Sequence, residues 1–387
     1  MVFVLSCILF FSLSLSKFSY ALKDDKNDEE FDYIFDPGQY IEYEEEKEET
    51  ITNDNLNNKM TENKKRDESI INKIKDASIT NKNNTSFNDI VEEPNVTNST
   101  NDNFIAVGDW YCNEETKKTI NNILAVDPEL IITTGDQVKE SPSAKCWIQM
   151  SEPIKEKLKI AIGNHDAEFA NIYKQIVNYH NLMSPYYSHD FRNYSHDFRN
   201  IHFISMSTEH PFEQGSKQYE FIKNDLEKIS KNSSVDWIVV HQHKPLYSTS
   251  QDKGEAEQLR DIYQQLYQQY DVDLVISSHN QYYERTYPLL YNEQYEKTTN
   301  KKIEPKPIIT NTVKSDYSDK DNGIIFLTVG TGGDKLDPVK ERYGFYVLQE
   351  SQFGFLNVKI ENNGKTLIGE FFTNNGKVID YFKLNKT

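Results

Sequence analysis

The chain has no surplus of basic residues. Its 387 residues include 43 Lys and Arg against 61 Asp and Glu, which gives a formal net charge of −18. Without excess positive charge a protein has little with which to neutralise a phosphate backbone, so the composition argues against nucleic acid as a partner. Much of the acidity is local, because thirteen acids between Asp24 and Glu49 are balanced only by Lys26 and Lys47. The net negative charge is therefore concentrated in the N-terminal segment and says little about the surface of the rest of the protein.

Long apolar runs are missing after the first residues. Val2 to Leu15 is apolar but short for a membrane span, and it is followed by Ser19-Tyr20-Ala21 and then by charge. We therefore predict a secretory signal peptide over residues 1–21, cleaved after Ala21. No Lys or Arg precedes the apolar run, and an uncleaved membrane anchor is the alternative. Once the signal peptide is cleaved no stable membrane span remains, and we expect a secreted, extracellular or cell-surface protein.

Cysteine is scarce, with three residues in the whole chain. Cys7 would leave with the signal peptide, so Cys112 and Cys146 are the remaining pair. A pair in an exported chain favours a disulfide, and two buried free thiols are the alternative. Neither residue lies in a CxxC arrangement, which argues against a thiolate zinc site.

Sustained hydrophobic periodicity is absent from residues 22–102. The segment is rich in Asn, Asp, Glu, Lys, Ser and Thr, and it cannot bury enough apolar surface to offset the cost of ordering its backbone. We predict a disordered acidic and Asn-rich segment. Its Asn-x-Ser/Thr triplets, which include Asn95-Val96-Thr97 and Asn98-Ser99-Thr100, can accept glycans if the host glycosylates exported chains.

From Phe104 onward, apolar segments alternate with amphipathic ones. The pattern predicts strands at 104–107, 130–133, 159–162, 201–205, 237–240 and 274–276, and helices at 114–124, 154–158, 168–179 and 254–270. Alternation of this kind indicates βαβ units and an α/β sheet. Between Ile324 and Leu384, alternating runs separated by Asn-Asn-Gly turns predict β-hairpins. We interpret residues 103–387 as one α/β domain with two sheets.

A seven-residue unit is duplicated in this domain. The sequence YSHDFRN occupies Tyr187–Asn193 and again Tyr194–Asn200. Because seven is odd, inserting one unit within a paired strand would exchange its two faces. We therefore expect one copy to project as an extended hairpin tip, with His189 and His196 on the surface.

Three of the predicted strands end in polar side chains after a glycine. The motifs are Gly108-Asp109-Trp110, Gly135-Asp136-Gln137 and Gly163-Asn164-His165-Asp166, each one βα unit apart. Two later strands end in His241-Gln242-His243 and in Ser278-His279-Asn280-Gln281. The carboxyl ends of the strands in an open α/β sheet line one crevice, so these side chains should converge. Carboxylates, an amide and imidazoles in one crevice are ligands for divalent or trivalent metal ions.

These motifs resemble the five sequence blocks of the calcineurin-like metallophosphoesterases, and most closely those of the purple acid phosphatase branch. The blocks read GDW, GDQ, GNHD, VHQH and SHNQYYER, and the resemblance extends from Phe104 to the C-terminus. It implies a four-layer α/β/β/α sandwich that ends in β-hairpins. It also implies two divalent or trivalent metal ions, iron with zinc, manganese or iron, and a small phosphorylated substrate.

The resemblance assigns a role to each strand-end residue. Asp109 would bind the first metal and Asp136 would bridge both. Asn164, His243 and His279 would bind the second metal. His165 would be the catalytic histidine, which stabilises the transition state or protonates the leaving oxygen.

Three positions depart from the family pattern. Lys139 stands where purple acid phosphatases have a Tyr, and Gln281 stands where they have a second His that binds the first metal. Tyr111 stands where related enzymes have the His of a D-x-H block. An amide oxygen is a poorer ligand than imidazole for zinc or ferric iron. We therefore expect the first metal site to be weak or empty, with Gln281 and Tyr111 as its weaker ligands.

Several further residues remain open at this stage. His210 and His241 are candidates for contact with the metals or the substrate, although His241 is also expected to face away from His243. Arg285 is interpreted as structural in preference to a phosphate contact. Lys139 is interpreted as a solvated side chain in preference to a charge within the pocket.

The function predicted is that of an exported metal-dependent phosphatase, which hydrolyses phosphomonoesters through metal-activated hydroxide with His165 as the catalytic residue. One alternative is a degraded phosphatase fold, weakly active or inactive, that serves as a binding or scaffold protein. Another is a phosphodiesterase or nucleotidase built on the same core.

Overall fold

The structure is a computed structural model that describes residues 102–139, 143–191, 201–249, 256–296, 305–318 and 321–387. The predicted signal peptide, the acidic segment up to residue 101 with its glycan triplets, and His196 lie outside these residues. Within the described ranges no helix combines the length and the apolar character that crossing a bilayer requires.

The described residues contain short strands and mostly short helices. The strands are β1 Asn103–Val107, β2 Leu130–Thr133, β3 Leu158–Ile160, β4 Tyr187–Phe191, β5 Ile201–Ser205, β6 Trp237–His241, β7 Leu274–Ser277, β8 Tyr283–Thr286, β9 Leu289–Leu290, β10 Ile308–Ile309, β11 Asp316–Ser318, β12 Ile325–Val329, β13 Tyr346–Glu350, β14 Gly354–Glu361, β15 Thr366–Thr373 and β16 Val378–Asn385. The helices are Glu114–Val126, Lys145–Ser151, Glu152–Lys157 (3₁₀), Asn164–Ala167, Ala170–His180, Lys217–Ile229, Ala256–Leu259, Arg260–Gln264 (π), Gln265–Gln269 and Glu293–Glu296.

Two mixed sheets of seven strands each organise the fold. The first has the strand order β11-β16-β15-β14-β1-β2-β3, and the second has the order β13-β8-β12-β7-β6-β5-β4. β1, β2 and β3 are parallel to one another, as are β5, β6, β7 and β12. The parallel strands of each sheet consequently end at one edge, which is where the sequence places its polar motifs.

The core lies between the two sheets and beneath the helices. Alternate residues of β6 face opposite sides, so Trp237 and Val239 belong to the cluster between the sheets, whereas Ile238 and Val240 pack under the helix Lys217–Ile229. Each buried side chain of this size contributes about 1.5–3 kcal/mol to folding. The arrangement is the predicted helix–sheet–sheet–helix sandwich, and the four-layer prediction is confirmed.

The C-terminal hairpins follow from their turn residues. β14, β15 and β16 form an antiparallel meander that joins the first sheet along β1. The turn between β14 and β15 contains Asn362, Asn363 and Gly364 with φ values of 51°, 56° and 86°. These left-handed conformations are the ones that Asn and Gly adopt at least cost.

The element boundaries differ from the sequence prediction in several places. The third strand ends at Ile160 instead of Ile162, and β12 lies parallel to β7 in the second sheet instead of forming a hairpin. The predicted helix 254–270 is interrupted by the π-helical turn Arg260–Gln264. The helices Lys145–Ser151 and Lys217–Ile229 were not predicted.

The first copy of the duplicated heptad supplies β4. This strand pairs antiparallel with β5, from Tyr187 opposite Ser205 to Phe191 opposite Ile201. The ring of His189 stacks on Phe203 at 5.1 Å between centroids, so the expectation of a surface His189 is wrong. The error arose because β4 is a full member of the sheet, and its alternate side chains face the core. The predicted hairpin tip lies outside the described residues.

A disulfide joins Cys112 to Cys146, which are 34 residues apart. It connects the loop after β1 to the helix Lys145–Ser151. Beside it, the buried rings of Trp110 and Trp147 pack at 5.2 Å between centroids. The disulfide, and not the pair of free thiols, is therefore the arrangement that the structure contains.

Candidate metal centre

The polar strand ends meet at the edge shared by the two sheets. The amide of Gly108, after β1, donates to the carbonyl of Val329 at the end of β12 (2.9 Å). The amide of Ser278, after β7, donates to the carbonyl of His243 beyond β6 (2.9 Å). These hydrogen bonds join backbone atoms, so the positions of the strand ends relative to one another do not depend on contacts between side chains.

Three residues of the site have left-handed backbone conformations. The φ angles of Asp109, Asp136 and His279 are 56°, 52° and 67°. Such conformations are uncommon for residues with a side chain, cost on the order of 1–3 kcal/mol, and cluster at functional sites. Each of these residues lies two or three positions beyond the end of its strand, so the left-handed turn aims its side chain into the crevice.

Glycines allow the chain segments to approach closely. A Cβ atom on Gly135 would lie 2.6 Å from Nδ1 of His243, and one on Gly163 would lie 2.1 Å from Oδ1 of Asp136. Both distances are far inside van der Waals contact. These two glycines are therefore required for the amide, carboxylate and imidazole groups to share one pocket.

Four side chains converge on one point. His243 Nε2 lies 3.0 Å from Asn164 Oδ1, 3.3 Å from Asp136 Oδ1 and 3.1 Å from His279 Nδ1. Ligand atoms of Asp136, His243 and His279 all lie within 4.8 Å of one another. The structure thus brings together the bridging ligand and all three second-metal ligands that the resemblance assigns.

The hydrogen bonds of His243 test whether a cation fits this point. Its Nδ1 lies 2.9 Å from the carbonyl oxygen of Thr134, which only accepts, so Nδ1 carries the proton. In the neutral ring Nε2 then presents a lone pair to the oxygens of Asn164 and Asp136, which are acceptors too. A cation shared between these facing acceptor atoms would stabilise them. The hydrogen bond from Nδ1 to Thr134, which orients the imidazole, is also typical of histidines that bind a metal through their other nitrogen.

The electrostatics agree with this interpretation. Burial lowers the pKa of His243, but the Asp136 carboxylate beside it outweighs burial and raises that pKa to about 9. Burial raises the pKa of Asp136, but the neighbouring His243 and His165 hold it far below its usual value. The pocket therefore stabilises positive charge at this point, and a divalent metal ion would satisfy the same donors.

The Gly163–Asp166 turn places its side chains in three different roles, the first of which is that of Asn164 in the convergent group. His165 lies at the rim, with its Nε2 4.0 Å from Asp136 Oδ2 and its Nδ1 3.3 Å from Glu168 Oε2. Asp166 is fully buried and accepts from the amides of Gly163 (2.9 Å) and Val138 (3.0 Å). Asp166 is thus a carboxylate that orders the loop, and His165 is the residue open to a substrate.

The opposite side of the crevice contains a positively charged side chain, that of Lys139. Asp109 is fully buried, and Lys139 forms an ion pair with Asp334. The Lys139 side chain is only 19% exposed, so the interpretation of Lys139 as a solvated side chain is wrong. The reason is Asp334, a partner 195 residues away in sequence.

The remaining sequence candidates lie around this group. Gln281 is buried, and its carbonyl accepts from the Asp337 amide (2.9 Å). The amide of Tyr111, a half-buried residue, donates to the Thr116 hydroxyl (3.1 Å). Among the residues that the structure describes, neither Gln281 nor Tyr111 forms a hydrogen bond with the four convergent side chains.

The two candidate histidines occupy separate positions. His210 Nδ1 lies 2.9 Å from the Ser207 hydroxyl after β5. His241 ends β6, is fully buried, and its ring lies 6.5 Å from that of His189 between the sheets. Neither side chain belongs to the convergent group.

Arg285 is structural, as interpreted from the sequence. It is 1% exposed and forms a two-point ion pair with Asp380, at 2.6 Å from Nε to Oδ2 and 2.7 Å from Nη2 to Oδ1. Its side chain also lies over the ring of Phe382. The guanidinium thus connects β8 of the second sheet to β16 of the first sheet, and its hydrogen bonds with Asp380 lie outside the crevice.

Two residues of the site were not predicted from the sequence. Asp334 lies five residues beyond the end of β12 and outside the five sequence blocks, so no motif pointed to it. Glu168 is three residues after His165, a spacing that places two side chains of a helix side by side.

Comparison with known proteins identifies the domain. Residues 103–283 match the family model for calcineurin-like phosphoesterases. The chain carries a calcineurin-like phosphoesterase domain. Among curated relatives from Arabidopsis thaliana, it is 27% identical to purple acid phosphatase 22 over 280 residues, covering 66% of this chain and 57% of that protein. It is 28% identical to a probable inactive purple acid phosphatase 24 over 191 residues, covering 48% of this chain and 28% of that protein.

A solved structure supports the fold of this phosphoesterase domain. The purple acid phosphatase PPD1 from yellow lupin seeds superposes with a TM-score of 0.56 at 21% identity, covering 75% of this chain and 54% of that one. The chain thus spans well under two thirds of the length of these three proteins. The domain is a purple acid phosphatase-like metallophosphoesterase, a fold that implies a dinuclear metal centre.

Proposed function

We propose that this protein is an exported metal-dependent phosphatase that hydrolyses small phosphomonoesters. The observation that carries the proposal is the convergence of Asp136, Asn164, His243 and His279, whose acceptor atoms surround one point. A metal ion held there would supply Lewis acidity that neutralises phosphate charge and activates water for in-line attack. The metals considered are iron with zinc, manganese or iron.

The residues of the chain supply orientation and a proton. His165 stands at the rim and is the proposed general acid, which delivers a proton to the leaving alkoxide oxygen. Glu168 orients the imidazole through Nδ1, at 3.3 Å, and leaves Nε2 directed toward the crevice. Gly163 and Asp166 hold the turn that carries His165, so its position depends on buried hydrogen bonds and not on a mobile loop.

Export is part of the proposal. It is supported by the sequence of residues 1–21 and by the disulfide between Cys112 and Cys146, a bond that persists in oxidising compartments. Under this proposal the mature chain begins after Ala21 and is secreted, extracellular or at the cell surface. N-terminal sequencing of protein from the native host tests it: a chain that retains Met1 would support the membrane-anchor alternative instead.

The experiment compares two substrates. p-Nitrophenolate leaves without protonation, whereas the alkoxide of glycerol phosphate requires a proton. We expect His165→Ala to lower kcat for glycerol phosphate by about 10²–10⁴-fold and to lower kcat for p-nitrophenyl phosphate much less. The metal content should remain unchanged in this variant.

Two controls complete the design. His180→Ala removes a histidine that accepts from the Trp147 indole (3.2 Å) outside the crevice, and it should leave the ratio of the two activities unchanged. A metal-loaded wild-type protein without turnover on either substrate would exclude the phosphatase, as would a His165→Ala variant that matches the wild type on both. Bis(p-nitrophenyl) phosphate serves as a third substrate, because preference for it would support the phosphodiesterase or nucleotidase alternative.

The side of the site that contains Lys139 and Gln281 favours the alternative of an inactive binding or scaffold protein. Lys139 and Gln281 replace residues that bind the first metal in the family, so activity reduced by an altered first site is part of the proposal. The same turnover assay separates the two functions. A protein that binds phosphate or metal without hydrolysing any of the three substrates is a binding protein.

A further inference from the structure

The segment that follows Asp136 contains a largely buried ammonium group. Lys139 follows Asp136 by three residues and forms an ion pair with Asp334, with side chains that are 19% and 7% exposed. Removing charges from water this far is costly unless their partners are fixed in place. The Lys139–Asp334 pair is therefore one of the secluded ion pairs of the protein, unlike exposed pairs such as Lys231–Glu227.

Asp334 is held by the same turn that carries the first-metal ligand. Its amide donates to the carbonyl of Asp109 (3.0 Å), and its Oδ1 accepts from the amide of Lys335 (2.7 Å). The amide of Gly332 donates to the carbonyl of Gly108 (2.9 Å) in the same contact. The partner of the Lys139 ammonium is thus rigid and lies immediately beside Asp109.

The ammonium lies in the field of both carboxylates that the resemblance assigns to the first metal. Burial lowers the pKa of Lys139, but Asp334, followed by Asp109 and Asp136, outweighs burial and raises it. The group therefore remains charged, and it provides the positive charge that Asp109 and Asp136 would otherwise obtain from an ion. Of the first-site ligands in the family, only Asp109, Asp136 and an amide in place of an imidazole at Gln281 remain.

We propose that the Lys139 ammonium takes the place of the first metal, so that this phosphoesterase binds one metal ion instead of two. The single ion belongs to Asp136, Asn164, His243 and His279. A resident cation repels a second one, and Gln281 offers a weaker ligand than the histidine it replaces. The residues present therefore fit a mononuclear centre better than the dinuclear centre that the fold implies. This inference rests on the proposed function.

Metal stoichiometry tests the inference without reference to turnover. The mature chain is saturated with Zn²⁺ and separately with Mn²⁺, passed through a desalting column, and analysed by mass spectrometry for metal per chain. We expect one ion in the wild type and in Lys139→Arg, which keeps the charge. We expect two ions in the double variant Lys139→Met/Gln281→His, and at least tenfold tighter binding of a second ion by calorimetry in Lys139→Met.

Lys244→Met is the matched control. Lys244 is also largely buried, with a side chain 13% exposed, and it forms an ion pair with Glu209 at 3.2 Å on the β5–β6 side of the crevice. This variant should still bind one ion. If Lys139→Met does not fold because Asp334 is left without its cation, the variant Lys139→Met/Asp334→Asn removes both charges and takes its place.

The outcomes separate this inference from the proposed function. Two ions in the wild type would overturn the inference and leave the phosphatase proposal intact. So would an equal gain in second-ion affinity for Lys139→Met and Lys244→Met, because the effect would then be general to any lysine near the crevice. No ion in any variant would contradict the proposed function itself.

Discussion

Glu284 makes the stability of the fold depend on pH near neutrality. It lies in β8, is fully buried, and accepts at Oε1 from the Thr249 hydroxyl (2.7 Å) and from the Gln349 amide (2.7 Å). Burial raises the pKa of this carboxyl to about 7, against an ordinary value of 4.5, and the hydrogen bonds offset only part of that effect. The acid is consequently neutral in the folded protein at pH 5 and ionised at pH 8.

The sign and size follow from linkage. Because the pKa of Glu284 is raised in the folded state, its contribution to the free energy of unfolding is fully present below pH 4.5. This contribution is lost as the pH rises through 7. At 1.36 kcal/mol per pKa unit, the shift to about 7 corresponds to about 3 kcal/mol in total, most of it lost between pH 5 and pH 8. Glu284→Gln mimics the neutral acid, because its carbonyl accepts the same two hydrogen bonds and its amide can donate toward Tyr346. We expect this variant to equal the wild type at pH 5 and to be more stable by about 2–3 kcal/mol at pH 8.

Urea unfolding followed by circular dichroism at half-unit intervals from pH 5 to pH 8 measures this difference. All other titratable groups are common to both proteins, so their effect cancels in the comparison. The matched control is Glu227→Gln, which alters an exposed carboxylate paired with Lys231 and should leave the pH profile unchanged. Parallel loss of stability by the wild type and Glu284→Gln would refute the reasoning.

Two further predictions concern stability and the duplicated heptad. Arg285→Met leaves the Asp380 carboxylate buried without its cation and should lower the unfolding free energy by about 3–5 kcal/mol, as urea titration measures, whereas adding Asp380→Asn should restore part of the loss. Deleting residues 194–200 leaves β4 complete and shortens its connection to β5 from nine residues to two. The deleted protein should fold, bind metal as before, and gain about 1 kcal/mol from the smaller loop-closure cost. Loss of the folded state by calorimetry would show that the second copy has a structural role.

The convergent group of side chains was predictable because strand ends are easy to locate in sequence. Short apolar runs that stop at a glycine identify the ends of β1, β2 and β3, and parallel strands bring their ends to one edge. Asp136, Asn164, His243 and His279 were named on that basis together with the family resemblance, and the structure brings all four together. No knowledge of side-chain packing was needed, since the backbone topology determines the convergence.

Contacts between distant segments could not be predicted in this way. The spacing of Lys139 from Asp136 shows which position it occupies, but only the folded chain shows that Asp334 reaches it. His189 was misplaced because the sequence does not reveal that β4 joins a sheet covered on both faces. The helix Lys217–Ile229 is a different kind of omission: Ser216 caps it, and Ile222, Leu226 and Ile229 form a buried stripe, so its signal was present and was not used.

The altered side of the site argues against simple decay. Asp109 is buried and has a left-handed backbone conformation, a costly arrangement of the kind that clusters at functional sites. Asp334 gives the largely buried Lys139 cation a fixed partner, because the Asp334 amide donates to the carbonyl of Asp109. The replacements at Lys139 and Gln281 are then complementary. Gln281 lacks the imidazole that would help to bind the first metal ion, and Lys139 supplies a positive charge in place of that ion. A crevice balanced by one metal ion and one ammonium retains the electrostatics that a phosphate substrate requires.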